Sequence, residues 1–203
     1  MKSSLRILAA LAPLLLAACA PQQLVRHQGD AASLAQQDAR EKQLAHADHW
    51  TLQGHLFVSN GQDGNGGTVT WTQNGDRYEF ILRAPITGKS FRLTGGPDGA
   101  ELDGLDGGPQ TGPDAEALMR RVLNWDVPLG QLRAWVMGTR AAQGGVAQLS
   151  FDDNRLLSSL QQDGWDITYP AWDTTHQPPL PAKVFARKPP FMVKLSIQSW
   201  TMQ

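Results

Sequence analysis

The amino-acid sequence predicts a mainly β fold: an antiparallel sheet with about three helices. Apolar and polar residues alternate with a period of two from Trp50 to Ser59, which is typical of a half-buried strand. Further short alternating segments follow, separated by turns rich in the chain's 20 Gly and 13 Pro. Many short strands joined by turns favour a barrel or a curved sheet. A single long sheet with helices on one side fits the same pattern.

Length, composition and charge limit the classes of protein that fit. The chain has 203 residues, 41% of them hydrophobic, which is enough for the core of one domain and argues against general disorder. The formal net charge is −1, so the charge gives no reason to expect nucleic acid as a partner. The chain has one cysteine, so it cannot form an internal disulfide.

The N-terminal segment has the features of a secretory signal. Lys2 and Arg6 precede an apolar stretch, residues 7–18, that is too short to span a bilayer comfortably. It ends in the sequence Leu-Ala-Ala before Cys19, which resembles the lipobox of bacterial lipoproteins. We therefore expect residues 1–18 to be removed as a signal peptide and Cys19 to carry the lipid. Residue 20 is Ala and not Asp, which by resemblance to bacterial sorting rules favours the outer membrane.

After cleavage, residues 19–30 are polar and predict a lipidated tether, and residues 31–203 predict a single domain. Loss of the two bases Lys2 and Arg6 would change the net charge from −1 to −3, so the anchor is lipid and not a basic patch.

Helices are predicted where apolar residues recur at helical spacing. They cover residues 31–50, with a thin apolar stripe of Ala31, Leu34, Ala35 and Leu44, and residues 114–123 and 129–137. The predicted strands are residues 50–59, 68–73, 77–83, 90–94, 100–105, 147–152, 156–162, 164–169, 182–187 and 191–200. Residues 60–67 form a Gly-rich turn, and Asn74-Gly75 is a strong hairpin signal.

No group of residues has the pattern of an active site. His46 and His49 could share a helix face, but no third ligand is clustered with them, so solvated histidines are the better interpretation. The sequence has no G-x-S-x-G motif and no phosphate-binding loop. We therefore expect no enzyme and no cofactor. The seven Trp residues indicate core packing or an apolar cavity between sheet and helices.

The segment from Ala84 to Ser90 interrupts the strand pattern. Pro85 stiffens it, Gly88 permits a sharp turn, and Ile86 is an apolar residue at the tip of a loop. From the residues alone, Ile86 either folds back into the core or inserts into a bilayer or partner, and the first is favoured.

Several motifs together resemble the LolB family of outer-membrane lipoprotein receptors, over nearly the whole chain. They are the lipobox, Trp50-x-Leu52-x-Gly54, the loop Ala84-Pro85-Ile86-Thr87-Gly88, Val127-Pro128-Leu129-x-x-Leu132-x-x-Trp135-Val136-x-Gly138 and Leu180-Pro181-Ala182-Lys183. The resemblance implies an unclosed barrel, a curved antiparallel sheet whose helices cover an apolar cavity. It also implies a monomer that accepts the acyl chains of lipoproteins from the periplasmic carrier LolA and releases the cargo into the lipid of the outer membrane.

The resemblance assigns roles to particular residues. The family's protruding loop carries an exposed leucine at the position of Ile86, so Pro85, Ile86 and Gly88 are expected to form a membrane-insertion loop. The acyl-chain cavity is expected to be lined from alternate strand positions by Trp71, Phe80, Leu82, Phe91, Leu93 and Trp165. The alternative is a structural or assembly lipoprotein that binds a protein partner and transfers no lipid.

Overall fold

The computed structural model describes residues 26–84 and 90–203. These residues form three helices and twelve strands, and every strand pair is antiparallel. The helices are α1 (Ala31–Leu44), α2 (Ala115–Leu123) and α3 (Leu129–Val136). The strands are β1 (His27–Gln28), β2 (His49–Ser59), β3 (Gly64–Asn74), β4 (Arg77–Arg83), β5 (Ser90–Gly96), β6 (Gly99–Asp103), β7 (Gln110–Gly112), β8 (Gln148–Phe151), β9 (Leu157–Gln162), β10 (Trp165–Asp173), β11 (Leu180–Lys188) and β12 (Phe191–Met202).

The strands form one sheet in the order β1-β8-β9-β10-β11-β12-β2-β3-β4-β5-β6-β7. Its centre is the pairing of β2 with β12, which joins the N-terminal meander to the C-terminal one. Within the described part of the chain β1 and β7 are the two edges and do not pair, so the barrel is not closed. The predicted fold class, an unclosed antiparallel barrel with three helices, is confirmed.

Two tight turns set the register of neighbouring strands. Gly75 and Asp76 connect Asn74 to its partner Arg77, and the positive φ of Gly75, +59°, suits glycine at the first turn position. Asp163 and Gly164 connect β9 to β10 with φ values of +52° and +78°, the pattern of a type I′ turn. Both turns match the right-handed twist of the strands that they join.

Most predicted elements are present, and the differences lie at their ends. The predicted helix over residues 31–50 ends at Leu44, because His49 and Trp50 already pair in β2. The predicted Gly-rich turn is shorter, since β3 begins at Gly64. Strand β7 was not predicted, and β10 continues to Asp173 through an irregularity after Thr168.

The predicted tether ends earlier than residue 30. His27 and Gln28 form β1, which pairs with Phe151 and Ser150 at the edge of the sheet. The folded domain therefore includes residues before its predicted start at residue 31.

One face of the sheet carries the hydrophobic core, and α2 and α3 pack over it. The cross-strand row Leu52, Trp71, Phe80, Leu93 and Leu102 shows how alternation places apolar side chains on one face across five strands. Helix α2 supplies apolar residues at helical spacing, with Leu118 fully buried, and α3 buries Leu129, Leu132, Trp135 and Val136. The sheet and these two helices share one core.

Helix α1 docks through a polar face, which differs from the prediction of an apolar stripe. Its buried residues are Ser33, Gln37 and Arg40, whereas Ala31 and Ala35 are exposed and Leu34 is 39% exposed. Ser33 lies near the helix start, where its backbone N–H donates to the side chain of the N-cap Asp30 at 2.7 Å. The docking of α1 thus depends on hydrogen bonds more than on apolar burial.

The Arg40 side chain binds the C-terminal end of α3. Its guanidinium donates to the carbonyl oxygens of Met137 at 2.5 Å, Gly138 at 2.7 Å and Pro179 at 2.9 Å. It also lies over the ring of Trp172, 4.7 Å from the ring centre. A cation at a helix C-terminus interacts favourably with the helix dipole. Burial lowers the pKa of Arg40 to about 10, so the side chain remains charged at neutral pH.

Gly138 is required at this junction. Its φ of +70° ends α3 in the left-handed region, and a Cβ there would lie 2.5 Å from the Trp172 ring. A second ion-pair network joins the same elements, because Arg140 binds Glu41 at 2.7 Å and also contacts Asp38.

Among the described residues, no helix is long and apolar enough to cross a membrane.

We predict that Arg40→Ala lowers the free energy of unfolding by about 3–5 kcal/mol, because it leaves buried carbonyl groups without a donor. Urea unfolding followed by tryptophan fluorescence measures this. Lys42→Ala, at an exposed position of the same helix, is the control and is expected to change stability by less than about 0.5 kcal/mol. Equal unfolding midpoints for the two variants would contradict the role given to Arg40.

Candidate functional site

An apolar cavity lies between the core face of the sheet and helices α2 and α3. The sheet contributes residues from β2, β3, β4, β5, β11 and β12, and the helices and the segment between them close the other side. All of its lining side chains are apolar: Leu52, Leu56, Val58, Trp71, Phe80, Leu93, Met119, Trp125, Val127, Leu129, Leu132, Val136, Val184, Ala186, Val193 and Leu195.

A second cavity adjoins the first. Its volume is about 80 Å³ and that of the first is about 50 Å³. Both are lined by Phe80, Leu93, Met119 and Trp125, so these four side chains form the wall between them. Leu82, Phe91, Leu102, Leu123 and Asn65 complete the second cavity. Displacement of this wall would join the two volumes.

Both cavities are smaller than the pockets in which proteins usually bind organic ligands. Pockets that bind organic ligands usually measure about 300–1,000 Å³, and the first cavity here is about 50 Å³. This conformation is therefore closed, and an acyl chain fits only after side chains or a helix move. Met119 in the shared wall is suited to such movement, because methionine is unbranched and adapts its shape.

Five of the six side chains predicted to line the site lie at these cavities. Trp71 lines the first, Leu82 and Phe91 line the second, and Phe80 and Leu93 line both. They come together because Trp71 pairs with Phe80 and Phe80 pairs with Leu93 across the sheet.

Trp165 was predicted to join this set, and the structure places it elsewhere. It is 3% exposed and packs against Trp135, with ring centres 5.8 Å apart, and it lines neither cavity. Its strand, β10, is three strands away from β2 in the sheet, and at β10 the Trp135 ring of α3 packs against it. Trp165 is therefore a core residue.

The predicted lipid attachment site and loop fall outside the described residues. Cys19 lies before residue 26, and Pro85, Ile86 and Gly88 lie between residues 84 and 90. The strands on either side of the loop are described: Arg83 pairs with Ser90, and Leu82 pairs with Phe91. The loop is therefore the connection of a β-hairpin whose last apolar pair lines the second cavity.

Helix α3 is fixed to the sheet by buried hydrogen bonds. The Gln162 side chain accepts from Trp135 Nε1 at 3.2 Å and from the Ala141 backbone N–H at 3.0 Å. It also donates to the carbonyl oxygens of Ala141 and Gly145, each at 2.9 Å, so its hydrogen-bonding groups are used. The hydroxyl of Tyr169 donates to the carbonyl oxygen of Trp135, and burial raises the pKa of this phenol.

Helix α2 is attached differently. Its polar contacts with other elements are exposed: Arg121 donates to the carbonyl oxygen of Thr111 at 2.7 Å, and Glu116 accepts from Gly130 N–H at 3.1 Å. Exposed hydrogen bonds contribute less to stability than buried networks. We therefore expect the wall that carries Met119 and Trp125 to move more easily than α3.

The sequence predicted that helices cover the cavity but did not name their lining side chains. Met119 of α2, and Leu129, Leu132 and Val136 of α3, lie on the apolar stripes of their helices. Trp125 lies outside the helices, and only the fold places it between the two cavities.

Among the described residues that line the two cavities none is titratable, and the titratable groups lie beside them. Tyr78 is half-buried near the start of α2, and desolvation together with the carboxylates of Glu116 and Asp114 raises its pKa to about 12. The phenol is therefore neutral at physiological pH. In residues 26–84 and 90–203, no group of three or more His, Cys, Asp or Glu side chains is placed to hold a metal ion.

We predict that Leu93→Ala increases the affinity of the protein for a short fatty acid such as octanoate several-fold, because it removes part of the wall between the cavities. The free energy of unfolding should fall by about 2–4 kcal/mol. Leu157→Ala is the matched control, since Leu157 is 0% exposed but lines neither cavity. Calorimetric titration measures both variants. An equal gain for both would show that the effect is general loosening and not a property of this wall.

Comparison with known proteins is consistent with this architecture. The family model described as "Outer membrane lipoprotein LolB" matches residues 48–200. An outer-membrane lipoprotein LolB from Xanthomonas axonopodis pv. citri (strain 306) is 38% identical over 183 residues, covering 88% of this chain and 84% of the relative. The LolB of Xanthomonas oryzae pv. oryzae (strain MAFF 311018) is 34% identical over 215 residues and covers 100% of this chain and 99% of the relative.

Solved structures with low sequence identity share the fold. A LolA superfamily protein from Nitrosomonas europaea has a TM-score of 0.53 at 7% identity, covering 84% of this chain and 93% of that protein. A DUF1329 family protein from Desulfovibrio piger ATCC 29098 has a TM-score of 0.54 at 6% identity, with the same coverage of 84% and 93%. The curved sheet, the apolar cavity under α2 and α3, and the match over residues 48–200 agree: the chain belongs to the outer-membrane lipoprotein LolB family.

Proposed function

We propose that this protein accepts the acyl chains of lipoproteins from a LolA-type periplasmic carrier and delivers the lipoproteins to the outer membrane. The observation that carries the proposal is the pair of apolar cavities under α2 and α3, in a chain of the LolB family. Acyl chains in water are costly in proportion to their apolar surface, at roughly 0.8 kcal/mol for each methylene. Transfer through the periplasm therefore needs a continuous apolar path.

Loading requires the cavity to open. The uneven attachment of the two helices supports opening on the α2 side, because α3 is held by Gln162, Tyr169 and Arg40. Outward movement of Met119 and Trp125 would join the two cavities and expose their apolar surface to the cargo.

In this proposal, the loop between β4 and β5 delivers the lipoprotein to the membrane. Its tip residue in the sequence, Ile86, is apolar, and the hairpin that carries it contributes Leu82 and Phe91 to the second cavity. Contact of Ile86 with the bilayer would bring this cavity close to the membrane surface. Pro85 and Gly88 would set the shape of the loop.

The N-terminal segment supplies the membrane anchor. In this proposal, residues 1–18 are removed, Cys19 carries acyl chains, and the following polar residues form a tether up to β1. One acyl chain gives only marginal membrane binding, whereas two or more give stable anchoring. The domain would then stay beside the membrane into which it releases its cargo.

The direction of transfer must come from differences in affinity. A ligand moves only towards the state that binds it more tightly, so the receptor must hold acyl chains more tightly than the carrier and less tightly than the bilayer. A cavity that is closed when empty supports the second condition, because the cost of opening it lowers the affinity for cargo.

A transfer assay tests the proposal. The non-lipidated Cys19→Ala form is mixed with carrier loaded with a labelled lipoprotein, and liposomes serve as the final acceptor. We expect Cys19→Ala to remove the label from the carrier. A second form that also carries Ile86→Glu should accept the label but deliver at least tenfold less to liposomes, because a charge at the loop tip opposes insertion.

The control is Met202→Glu in the same background. Met202 is 37% exposed and lies at the end of the sheet opposite to Arg83 and Ser90, so it should accept and deliver normally. If no label leaves the carrier, the receptor function is wrong and an assembly lipoprotein that binds a protein partner explains the chain better. If Met202→Glu also fails to deliver, the role of the loop is wrong.

A further inference from the structure

A polar groove lies at the opposite end of the sheet from the loop. It consists of two adjoining pockets of about 440 Å³ and 410 Å³, which share Gly130 and Arg133 of α3. Its other walls are the turn that holds Asp76, the first turn of α2 around Glu116, and the region after α1 at Ala45. These pockets are far larger than the apolar cavities and have a different chemistry.

Buried polar atoms without partners belong to the residues that line the groove. Trp50 is 1% exposed, Trp71 is 2% exposed, and their ring centres are 5.2 Å apart. Within residues 26–84 and 90–203, neither indole Nε1 has a hydrogen-bond partner, and neither does Oε1 of Gln73, which is 3% exposed. The residues that line the groove therefore carry two unused donors and one unused acceptor, on the neighbouring strands β2 and β3.

Such atoms are unusual, because buried polar groups nearly always form hydrogen bonds. Gln73 uses its other side-chain atom, since Nε2 donates to the carbonyl oxygen of Gly75 at 2.8 Å, which fixes the orientation of the amide. A ligand that pairs with all three atoms must offer acceptors to the two indole N–H groups and a donor to the Gln73 oxygen. A polypeptide main chain offers both in alternation. All three atoms are shielded from solvent, so small side-chain displacements have to expose them to the ligand.

The charges in the groove are of both signs. Asp76, Asp114 and Glu116 face Arg120 and Arg133 in the larger pocket. Arg133 is half-buried and, in the described part of the chain, forms no hydrogen bond or salt bridge. A site for a phosphate group would be expected to carry an excess of positive charge. The mixed charges favour a peptide over a phospholipid headgroup.

The groove adjoins the acyl-chain cavity. Trp71 and Leu129 line both, so each presents one side to the apolar cavity and another to the polar groove. An acylated peptide with its chains in the cavity would therefore have its first residues at the groove. We propose that the groove binds the main chain of the residues that follow the acylated cysteine of the cargo, an inference that rests on the proposed function.

The position of the groove agrees with the orientation of a lipoprotein in a membrane. Strand β4 runs from Tyr78, which lines the groove, to Arg83 before the loop, a distance of roughly 17 Å at about 3.3 Å for each residue. With the loop at the bilayer, acyl chains would point towards the membrane and the peptide towards the periplasm. The cargo would thus be held in the orientation that it adopts after insertion.

The test compares two probes that share their acyl chains. One is a synthetic tripalmitoyl-cysteinyl hexapeptide, and the other is tripalmitoyl-cysteine methylamide, which lacks the peptide. Both are titrated into the Cys19→Ala protein and into a variant that also carries Trp50→Phe and Arg133→Gln. Neither substituted residue lines the apolar cavities, and phenylalanine keeps an aromatic ring while it removes the indole N–H.

We expect the double substitution to weaken binding of the lipopeptide about tenfold and to leave binding of the methylamide unchanged. Arg187→Gln, an exposed position on β11 outside the groove, is the control and should change neither.

Equal weakening of the binding of both probes, or no weakening of either, would overturn the inference while the receptor function stands. If the Cys19→Ala protein binds neither probe, the receptor function itself fails. If the variant binds both probes normally but no longer takes cargo from the carrier, the groove serves the carrier and the inference is wrong.

Discussion

The structure depends on one constraint: a single apolar face of an open sheet must be covered by helices without being filled. In the described residues the sheet has twelve strands, whereas α2 and α3, which pack over its apolar face, have nine and eight residues. The space left between the sheet and these helices is the pair of apolar cavities. A fully packed core would be more stable, because protein interiors tend towards the density of organic crystals. The cavity is therefore preserved at a cost to stability.

The way in which the helices are held follows from this constraint. Helix α3 buries four apolar residues in the core, and buried hydrogen bonds with Gln162, Tyr169 and Arg40 hold it in addition. Helix α1 docks mainly with a polar face, although Leu44 at its end packs against the core, and Arg40 fixes the C-terminal end of α3. Helix α2 lacks such a network among its described contacts and makes exposed ones. We therefore expect α3 to act as a fixed wall and α2 as a movable one, which is the combination that a receptor that opens and closes requires.

Local patterns in the sequence predict the strands and turns well, because a period of two and the Asn-Gly turn depend on neighbouring residues. They also place five of the six proposed cavity residues on the correct face. The buried face of α1 was not predictable, since Gln37 and Arg40 become buried only when residues about 100 positions away supply carbonyl groups. The prediction that Trp165 lines the cavity is wrong for a related reason. Alternation along a strand shows which face of the sheet a side chain lies on, but it does not show that Trp135, which is distant in sequence, packs against that face.

The closed state of the empty cavity has a consequence for transfer. An open apolar cavity in water would expose the side chains that line it, at roughly 25 cal/mol for each Å², so collapse of the α2 wall is favourable when no chain is bound. Cargo binding must reverse that collapse, and its net affinity is lower by the same amount. A bilayer requires no comparable opening. In the proposed function, this difference would drive transfer from receptor to membrane without an external energy source, and its size would depend on how tightly Met119 and Trp125 pack in the empty protein. Packing in the unloaded state is therefore part of the mechanism of release.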